Sequence, residues 1–118
     1  MTRILVVEDD PEMRELIAIT LDDPALQVTG EASSGEAALA LVSELRPDVV
    51  ILDHFLAGKL TGLQLAPAIS ALVPETRILL FSSHDLTAEV AREPSVHGYL
   101  RKAQAARLPD AVRGLVDA

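Results

Sequence analysis

Two short apolar segments of this chain each run directly into acidic residues, and this pairing restricts the possible folds more than any other feature. Ile4–Val7 is followed by the acidic segment 8–10, and Val49–Leu52 is followed by Asp53. Aliphatic runs of this length are typical of parallel strands buried on both faces. The carboxyl ends of such strands meet at one edge of a sheet, where open α/β sheets bind ligands. Carboxylates held together there repel each other unless a cation joins them, so the pattern predicts a cation site at this edge.

Strand and helix patterns alternate along the whole chain without an intervening linker. The alternation predicts a parallel five-stranded sheet with helices on both faces, folded as one domain over residues 1–118. The expected strands are 3–8, 26–31, 48–53, 77–82 and 97–101. The expected helices are 11–22, 35–45, 62–73, 86–92 and 109–117. The second strand is the most polar, so we expect it at an edge of the sheet.

Several helix starts carry recognisable capping residues. Asp10 precedes Pro11, as in an N-cap followed by proline at the first helical position. Two further pairs match the capping-box pattern: Ser33 with Glu36, and Thr61 with Gln64. Pro67 lacks the backbone donor that a helix interior requires, so we expect a kink or a later start in the third helix. The expected buried face of the first helix contains Met13, Leu16, Ile17 and Leu21.

Composition argues against several classes of protein. The chain has 18 acidic and 10 basic residues and a formal net charge of −8, which argues against nucleic acid or an anionic membrane as a direct partner. It has no cysteine, so it has neither disulfides nor thiolate metal sites, and this suits the cytoplasm. We expect no signal peptide and no transmembrane segment, because no apolar run approaches the necessary length.

Five side chains follow the carboxyl ends of predicted strands, and we expect them to converge: Glu8, Asp9, Asp53, Ser82 and Lys102. Three carboxylates suit a hard cation such as Mg²⁺, which prefers a few carboxylates together with a phosphate. The lysine adds a second fixed positive charge. Cation and lysine together would neutralise a tetrahedral anion, and the serine hydroxyl could donate a hydrogen bond to it. The set therefore predicts a site for a phosphate-like group.

With these motifs in place, the chain resembles the receiver domains of bacterial two-component response regulators. The matching stretches are ILVVEDDPEMREL (4–16), DVVILD (48–53), ILLFSS (78–83) and GYLRK (98–102). They follow one another at nearly the spacing of the family and cover essentially the whole chain. The resemblance implies a flavodoxin-like, doubly wound sheet with strand order 2-1-3-4-5.

The resemblance also implies a phospho-acceptor and a set of metal ligands. Asp53 would accept the phosphoryl group and would also bind Mg²⁺. Asp9 would be a direct Mg²⁺ ligand, and Glu8 would support the metal through water. The backbone carbonyl of Phe55 would complete the coordination.

Three further roles follow from the same resemblance. Lys102 would stabilise the charge of the phosphoryl group beside Asp53. Ser82 takes the place of the switch serine or threonine of the family, and would hydrogen-bond the new phosphoryl group. Tyr99 takes the place of the aromatic switch residue, which would turn inward when the serine moves.

The implied function is that of a signalling switch. A sensor histidine kinase or a phosphotransfer protein would phosphorylate Asp53, and the new conformation would act on a downstream effector or a second copy of the chain. We expect no enzymatic activity beyond the domain's own phosphorylation and dephosphorylation. The alternative is a degenerate receiver that mediates protein interactions without phosphorylation. A Mg²⁺-dependent phosphatase or phosphotransferase would need a second catalytic acid and a substrate loop, which this compact chain does not offer.

Three segments depart from the family pattern. The loop after the phospho-acceptor has Ala57 where proline is usual, and it is one residue longer before Gly62. The segment 82–102 is about two residues short, which argues against a full fourth helix and the usual output surface. Ala103 stands where proline commonly follows the lysine. Because a non-proline cis bond costs about 2.5–4 kcal/mol, we expect the bond between residues 102 and 103 to be trans.

Overall fold

A computed structural model of the protein describes residues 1–117 as a five-stranded parallel sheet with helices on both faces. The strands are β1 (Thr2–Val7), β2 (Leu26–Ala32), β3 (Val49–Leu52), β4 (Arg77–Ser82) and β5 (Gly98–Arg101). The helices are α1 (Pro11–Thr20), α2 (Gly35–Leu45), α3 (Gly62–Leu72), α4 (Thr87–Ala91) and α5 (Leu108–Val116). The strand order is β2-β1-β3-β4-β5, and every neighbouring pair is parallel. The predicted fold and the edge position of β2 are therefore confirmed.

The two central strands that carry the acidic residues are buried on both of their faces. All eight residues of Ile4–Val7 and Val49–Leu52 are at most 1% exposed. Alternate side chains pack into a core layer beneath α2 and α3 and into a second layer beneath α1 and α5. This double burial explains why the runs are continuously aliphatic. It also fixes the position of the residue that directly follows each strand.

Two of the predicted helix starts are confirmed. The Asp10 side chain accepts a hydrogen bond from the backbone N–H of Glu12 at 3.0 Å, and Pro11 is the first residue of α1. At the start of α3, the Thr61 hydroxyl accepts from the backbone N–H of Gln64 at 3.3 Å. The Gln64 side chain accepts from the backbone N–H of Thr61 at 3.0 Å, which completes the capping box.

Three local expectations were wrong. The N-cap of α2 is Ser34, not Ser33, because Ser34 has the extended backbone and its hydroxyl accepts from the backbone N–H of Ala37. The expected later start of α3 is wrong: the helix begins at Gly62 and includes Pro67, since the capping box fixes its start and buried side chains on either side of the proline anchor it to the core. Leu16 does not join the buried face of α1 and is 44% exposed.

The segment from β4 to α5 differs most from the expected elements. Helix α4 has only five residues, and its N-cap residue, Leu86, makes no side-chain capping hydrogen bond, in line with the shortened segment 82–102. A 3₁₀ helix over Lys102–Arg107 follows β5, and the sequence pattern did not predict it. The peptide bond between residues 102 and 103 is trans, as expected. In the part of the chain that the structure describes, no helix is long and apolar enough to cross a membrane.

Candidate functional site

The two central strands deliver a pair of buried carboxylates to the same edge of the sheet. Glu8 directly follows β1 and is 1% exposed, and Asp53 directly follows β3 and is 5% exposed. The backbone N–H of Glu8 donates to the Ala32 carbonyl at 2.9 Å, and that of Asp53 donates to the Val7 carbonyl at 3.0 Å. These bonds extend the ladders of the sheet by one residue, so both acids are held as rigidly as the strands themselves.

Lys102 lies between these two carboxylates. Its Nζ donates to Glu8 Oε1 at 2.7 Å and to Asp53 Oδ2 at 3.2 Å. The second oxygen of each acid accepts a backbone N–H, from Asp10 for Glu8 and from His54 for Asp53. Burial by itself lowers the pKa of the Lys102 ammonium, but the Glu8 and Asp53 carboxylates outweigh burial and hold this pKa above its ordinary value. The lysine is therefore a fixed cation in the site.

Asp9 completes a cluster of three carboxylates. Glu8, Asp9 and Asp53 each offer one carboxylate oxygen, and the three oxygens lie within 4.8 Å of one another. Desolvation by the surrounding protein and the neighbouring Glu8 carboxylate raise the pKa of Asp9 above its ordinary value of 3.8. The donor set consists only of oxygen atoms and carries excess negative charge beside an exposed edge. It therefore fits a hard divalent cation such as Mg²⁺.

Two further residues, Gly62 and Arg14, contact the backbone of the acidic residues. Neither was predicted from the sequence to belong to the site. A Cβ atom on Gly62 would lie 2.3 Å from the carbonyl oxygen of Asp53, so only glycine allows α3 to begin this close to the strand end. The Gly62 N–H donates to the His54 carbonyl at 2.8 Å. On the other side, Arg14 Nη1 donates to the carbonyl of Glu8 at 2.7 Å. The position of Gly62 at the start of a predicted helix is a sequence signal for its close contact with Asp53. Nothing in the sequence indicates the hydrogen bond from Arg14 to Glu8.

Ser82 and Tyr99 lie in the part of the site formed by β4 and β5. Ser82 is completely buried at the end of β4, and its Oγ accepts from the backbone N–H of His84 at 3.2 Å. The Tyr99 hydroxyl donates to the His84 carbonyl at 2.6 Å and accepts from the Leu86 N–H at 2.9 Å. Within residues 1–117, Ser82 makes no hydrogen bond to the carboxylates or to Lys102. Ser82 and Tyr99 are thus joined to each other through the β4–α4 loop.

Three rings form a row beside the acidic cluster. Phe55 is 50% exposed. Its ring centroid lies 4.7 Å from that of His54 and 4.5 Å from that of His84. The third histidine, His97, lies at the opposite end of β5, where its Nδ1 accepts from the Ile78 N–H at 2.9 Å. His97 therefore has a structural role, and only His54 and His84 lie beside the acidic cluster.

The fold and the cluster define a flavodoxin-like α/β domain. A cluster of carboxylates and one lysine lies at the edge of its sheet where the strands have their carboxyl ends. The sequence matches the family model of the response regulator receiver domain over residues 4–113. The chain belongs to this family. Proteins of the family are regulators of two-component systems, in which a phosphorylation switch is the general function of the receiver domain.

Curated relatives share the receiver part of longer chains. The chain is 38% identical over 103 residues to the probable transcriptional regulatory protein NarL of Mycobacterium tuberculosis, covering 85% of this chain and 47% of that protein. It is 44% identical over 87 residues to a protein-glutamate methylesterase/protein-glutamine glutaminase of Anaeromyxobacter dehalogenans, covering 73% of this chain and 25% of that enzyme. The chain therefore spans less than half the length of these relatives.

Solved structures agree with the fold. A two-component response regulator of the LuxR family from Aurantimonas has a TM-score of 0.89 and 30% sequence identity, covering 99% of this chain and 86% of that one. The response regulator domain of Thermotoga maritima CheB has a TM-score of 0.86 at 24% identity, covering 100% and 98% of the two chains. The second similarity supports the fold alone.

Proposed function

We propose that this chain is one receiver domain, residues 1–118, that acts as a Mg²⁺-dependent phosphoryl-accepting switch with Asp53 as the acceptor. The observation that carries the proposal is the placement of Asp53. Its carboxylate is buried beside the Lys102 ammonium, and one of its oxygens lies within 4.8 Å of a carboxylate oxygen of Glu8 and of Asp9. A carboxylate that is held next to a fixed cation, at the rim of the sheet, is arranged for attack on a phosphoryl group.

The proposed donor is a phosphohistidine of a sensor histidine kinase or of a phosphotransfer protein. A carboxylate oxygen of Asp53 attacks the phosphorus in line, forming an acyl phosphate. The P–N bond breaks, and its electron pair leaves with the imidazole of the donor. The Lys102 ammonium, 3.2 Å from Asp53 Oδ2, stabilises the charge on the equatorial oxygens. Glu8, Asp9, Asp53 and the carbonyl of Phe55 would hold Mg²⁺, which supplies further positive charge at the transferring group.

The β4–α4 loop is the proposed output of the reaction. A phosphoryl group on Asp53 offers Ser82 a strong new acceptor. The Ser82 hydroxyl accepts from His84 N–H, and the Tyr99 hydroxyl holds the His84 carbonyl. A shift of Ser82 toward the anion therefore pulls on the part of the loop that Tyr99 contacts. A local charge would in this way bias an equilibrium between two loop conformations.

The proposed setting is the cytoplasm, where the switched surface would act on a downstream effector or on a second copy of the chain. The net charge of −8 makes nucleic acid and anionic membrane unsuitable partners for this domain. The NarL relative is described as a transcriptional regulatory protein. Any such output would belong to another part of a longer regulator, and the receiver itself would have no substrate to turn over.

Incubation with acetyl phosphate and Mg²⁺, followed by intact-mass analysis, tests the proposal. We expect one phosphoryl group per chain, and none when EDTA removes the metal. No modification in the presence of Mg²⁺ would contradict the proposal and support the degenerate interaction module. Release of many equivalents of phosphate per chain, faster than a single acceptor can be recharged, would instead indicate a phosphatase.

A further inference from the structure

We propose that Arg101 is a positioning residue for Ser82, a role that rests on the proposed function of the site. Arg101 Nη2 donates to the carbonyl of Ser83 at 3.0 Å. Ser83 directly follows Ser82, whose buried hydroxyl lies at the end of β4. The guanidinium therefore binds the peptide between Ser83 and His84, the same peptide whose N–H donates to the Ser82 hydroxyl.

Arg101 and Tyr99 act from the same face of β5. Residues two apart on a strand point to the same side, and Leu100 between them is buried in the core layer on the other side. Arg101 holds the carbonyl of Ser83, and Tyr99 holds the carbonyl of His84. Two consecutive carbonyls of the β4–α4 loop are thus bound by side chains of one neighbouring strand.

The loop depends on these contacts because α4 gives it little support. Helix α4 has five residues, and its N-cap, Leu86, provides no side-chain hydrogen bond. Within the loop, the His84 N–H bonds to the Ser82 hydroxyl. That bond can persist only while the backbone on either side of Ser83 stays in place. Arg101 supplies that restraint from outside the loop.

The contribution of Arg101 to overall stability is expected to be small. Its Nε is buried without a hydrogen-bond partner in the described residues. An unsatisfied buried donor is destabilising by about as much as a hydrogen bond of a charged donor stabilises. Replacing Arg101 by methionine removes both effects and keeps most of the apolar stem. The substitution should therefore act on the loop without unfolding the domain.

The first measurement is amide hydrogen exchange in the absence of phosphodonor and metal. In Arg101→Met we expect the His84 and Leu86 amides to exchange about tenfold faster, the change that loss of a charged hydrogen bond produces. Arg107→Met is the control, because it removes the same charge from an exposed position at the end of the 3₁₀ helix. Equal exchange in both variants and in the wild type would overturn the proposal.

The second measurement is the rate of phosphorylation by acetyl phosphate with Mg²⁺. A positioned hydroxyl promotes the reaction only while it is held in place, so Arg101→Met should react about fivefold more slowly and Arg101→Lys should recover part of the rate. If Arg101 acts through Ser82, the double variant with Ser82→Ala should react no more slowly than Ser82→Ala alone. Additive losses, or an unchanged rate in Arg101→Met, would overturn the positioning role. If the wild type is not phosphorylated at all, the proposed function fails, and the exchange result alone decides whether Arg101 positions the loop.

Discussion

The acidic half of the site and its loop half are built in different ways. In the acidic half, Glu8 and Asp53 directly follow strands that are buried on both faces, and Lys102 donates hydrogen bonds to both carboxylates. In the loop half, an exposed segment after β4 is held by Tyr99 and Arg101 and leads into a helix of five residues. The core fixes the charges that would perform the proposed chemistry, whereas a few hydrogen bonds fix the loop that would move in the proposed switch. Substitutions in the first half should decide whether the reaction occurs, and substitutions in the second half should change how fast it occurs.

The largest expected effect is the loss of phosphorylation when an acid of the cluster is neutralised. Asp53→Asn removes the proposed acceptor, and Asp9→Asn removes a proposed ligand of the cation, so neither variant should gain a phosphoryl group from acetyl phosphate and Mg²⁺. Asp10→Asn is the matched control, because Asp10 caps α1 and asparagine is an equally good N-cap. Full phosphorylation of Asp53→Asn in an intact-mass measurement would show that the acceptor is wrongly assigned.

Removal of the lysine should cost the most stability. Lys102→Met leaves the buried carboxylates of Glu8 and Asp53 without the cation that pairs with them. Loss of one partner of a buried ion pair typically costs about 3–5 kcal/mol. We expect a drop of this size in the free energy of unfolding in metal-free buffer, measured by chemical denaturation. Added Mg²⁺ should restore part of it, because the metal replaces the missing positive charge.

The other lysine of the chain provides the control for this prediction. Lys59 lies exposed in the loop between β3 and α3, and Lys59→Met should change the free energy of unfolding by no more than about 0.5 kcal/mol. A loss in Lys102→Met as small as that in Lys59→Met would contradict the view that the acidic half depends on its central cation.

The acidic half was also the more predictable half. Its residues follow aliphatic runs whose burial can be recognised from four consecutive side chains, and parallel pairing brings the ends of these runs together. Glu8, Asp9, Asp53 and Lys102 therefore gather as the sequence predicted. Their placement depends on the buried strands, and the aliphatic runs that form these strands can be recognised in the sequence.

The loop half was harder to predict because its contacts have no local pattern. The hydrogen bond from Arg101 to the Ser83 carbonyl joins an exposed loop to a neighbouring strand, and no spacing in the sequence indicates it. The 3₁₀ helix after β5 begins at Lys102 without a capping side-chain hydrogen bond that the sequence could have signalled. The exact cap of α2 was also missed, since Ser33 with Glu36 matches the capping-box pattern, whereas the residue with the extended backbone and the capping hydrogen bond is Ser34.

A smaller effect should appear where the two halves meet at the row of rings. Phe55 lies two residues after Asp53 and contacts His84 of the loop. Its bulky apolar ring should exclude water that would attack the phosphoryl group, so the phosphorylated protein should lose phosphate slowly. Phe55→Asn should accelerate phosphate release several-fold, and Phe55→Leu, which keeps an apolar side chain, should stay close to the wild type. An equal or slower rate in Phe55→Asn would show that the ring does not shield the site.

The smallest expected effect tests whether the acidic half is strained without metal. The pKa of Asp9 is raised above 3.8, so the folded state holds this proton more tightly than the unfolded state does. The ionised carboxylate therefore destabilises the fold at every pH above its folded pKa, and this cost disappears as the pH falls to 3.8 and below. Asp9→Asn should be more stable than the wild type at neutral pH without metal. Because Asp9 is exposed, solvent screening should limit the gain to less than about 1 kcal/mol.

Mg²⁺ should reverse the sign of the stability difference between Asp9→Asn and the wild type. A cation that binds the folded wild type stabilises it by mass action, and Asp9→Asn lacks one of the three carboxylates that would hold it. Chemical denaturation at pH 7 with EDTA and then with saturating Mg²⁺ measures both signs in one pair of proteins. Asp22→Asn, an exposed aspartate outside the cluster, should follow the wild type in both buffers. If Asp9→Asn is less stable than the wild type in EDTA, repulsion among the three carboxylates does not destabilise the metal-free fold. The acidic half would then need no cation for its stability.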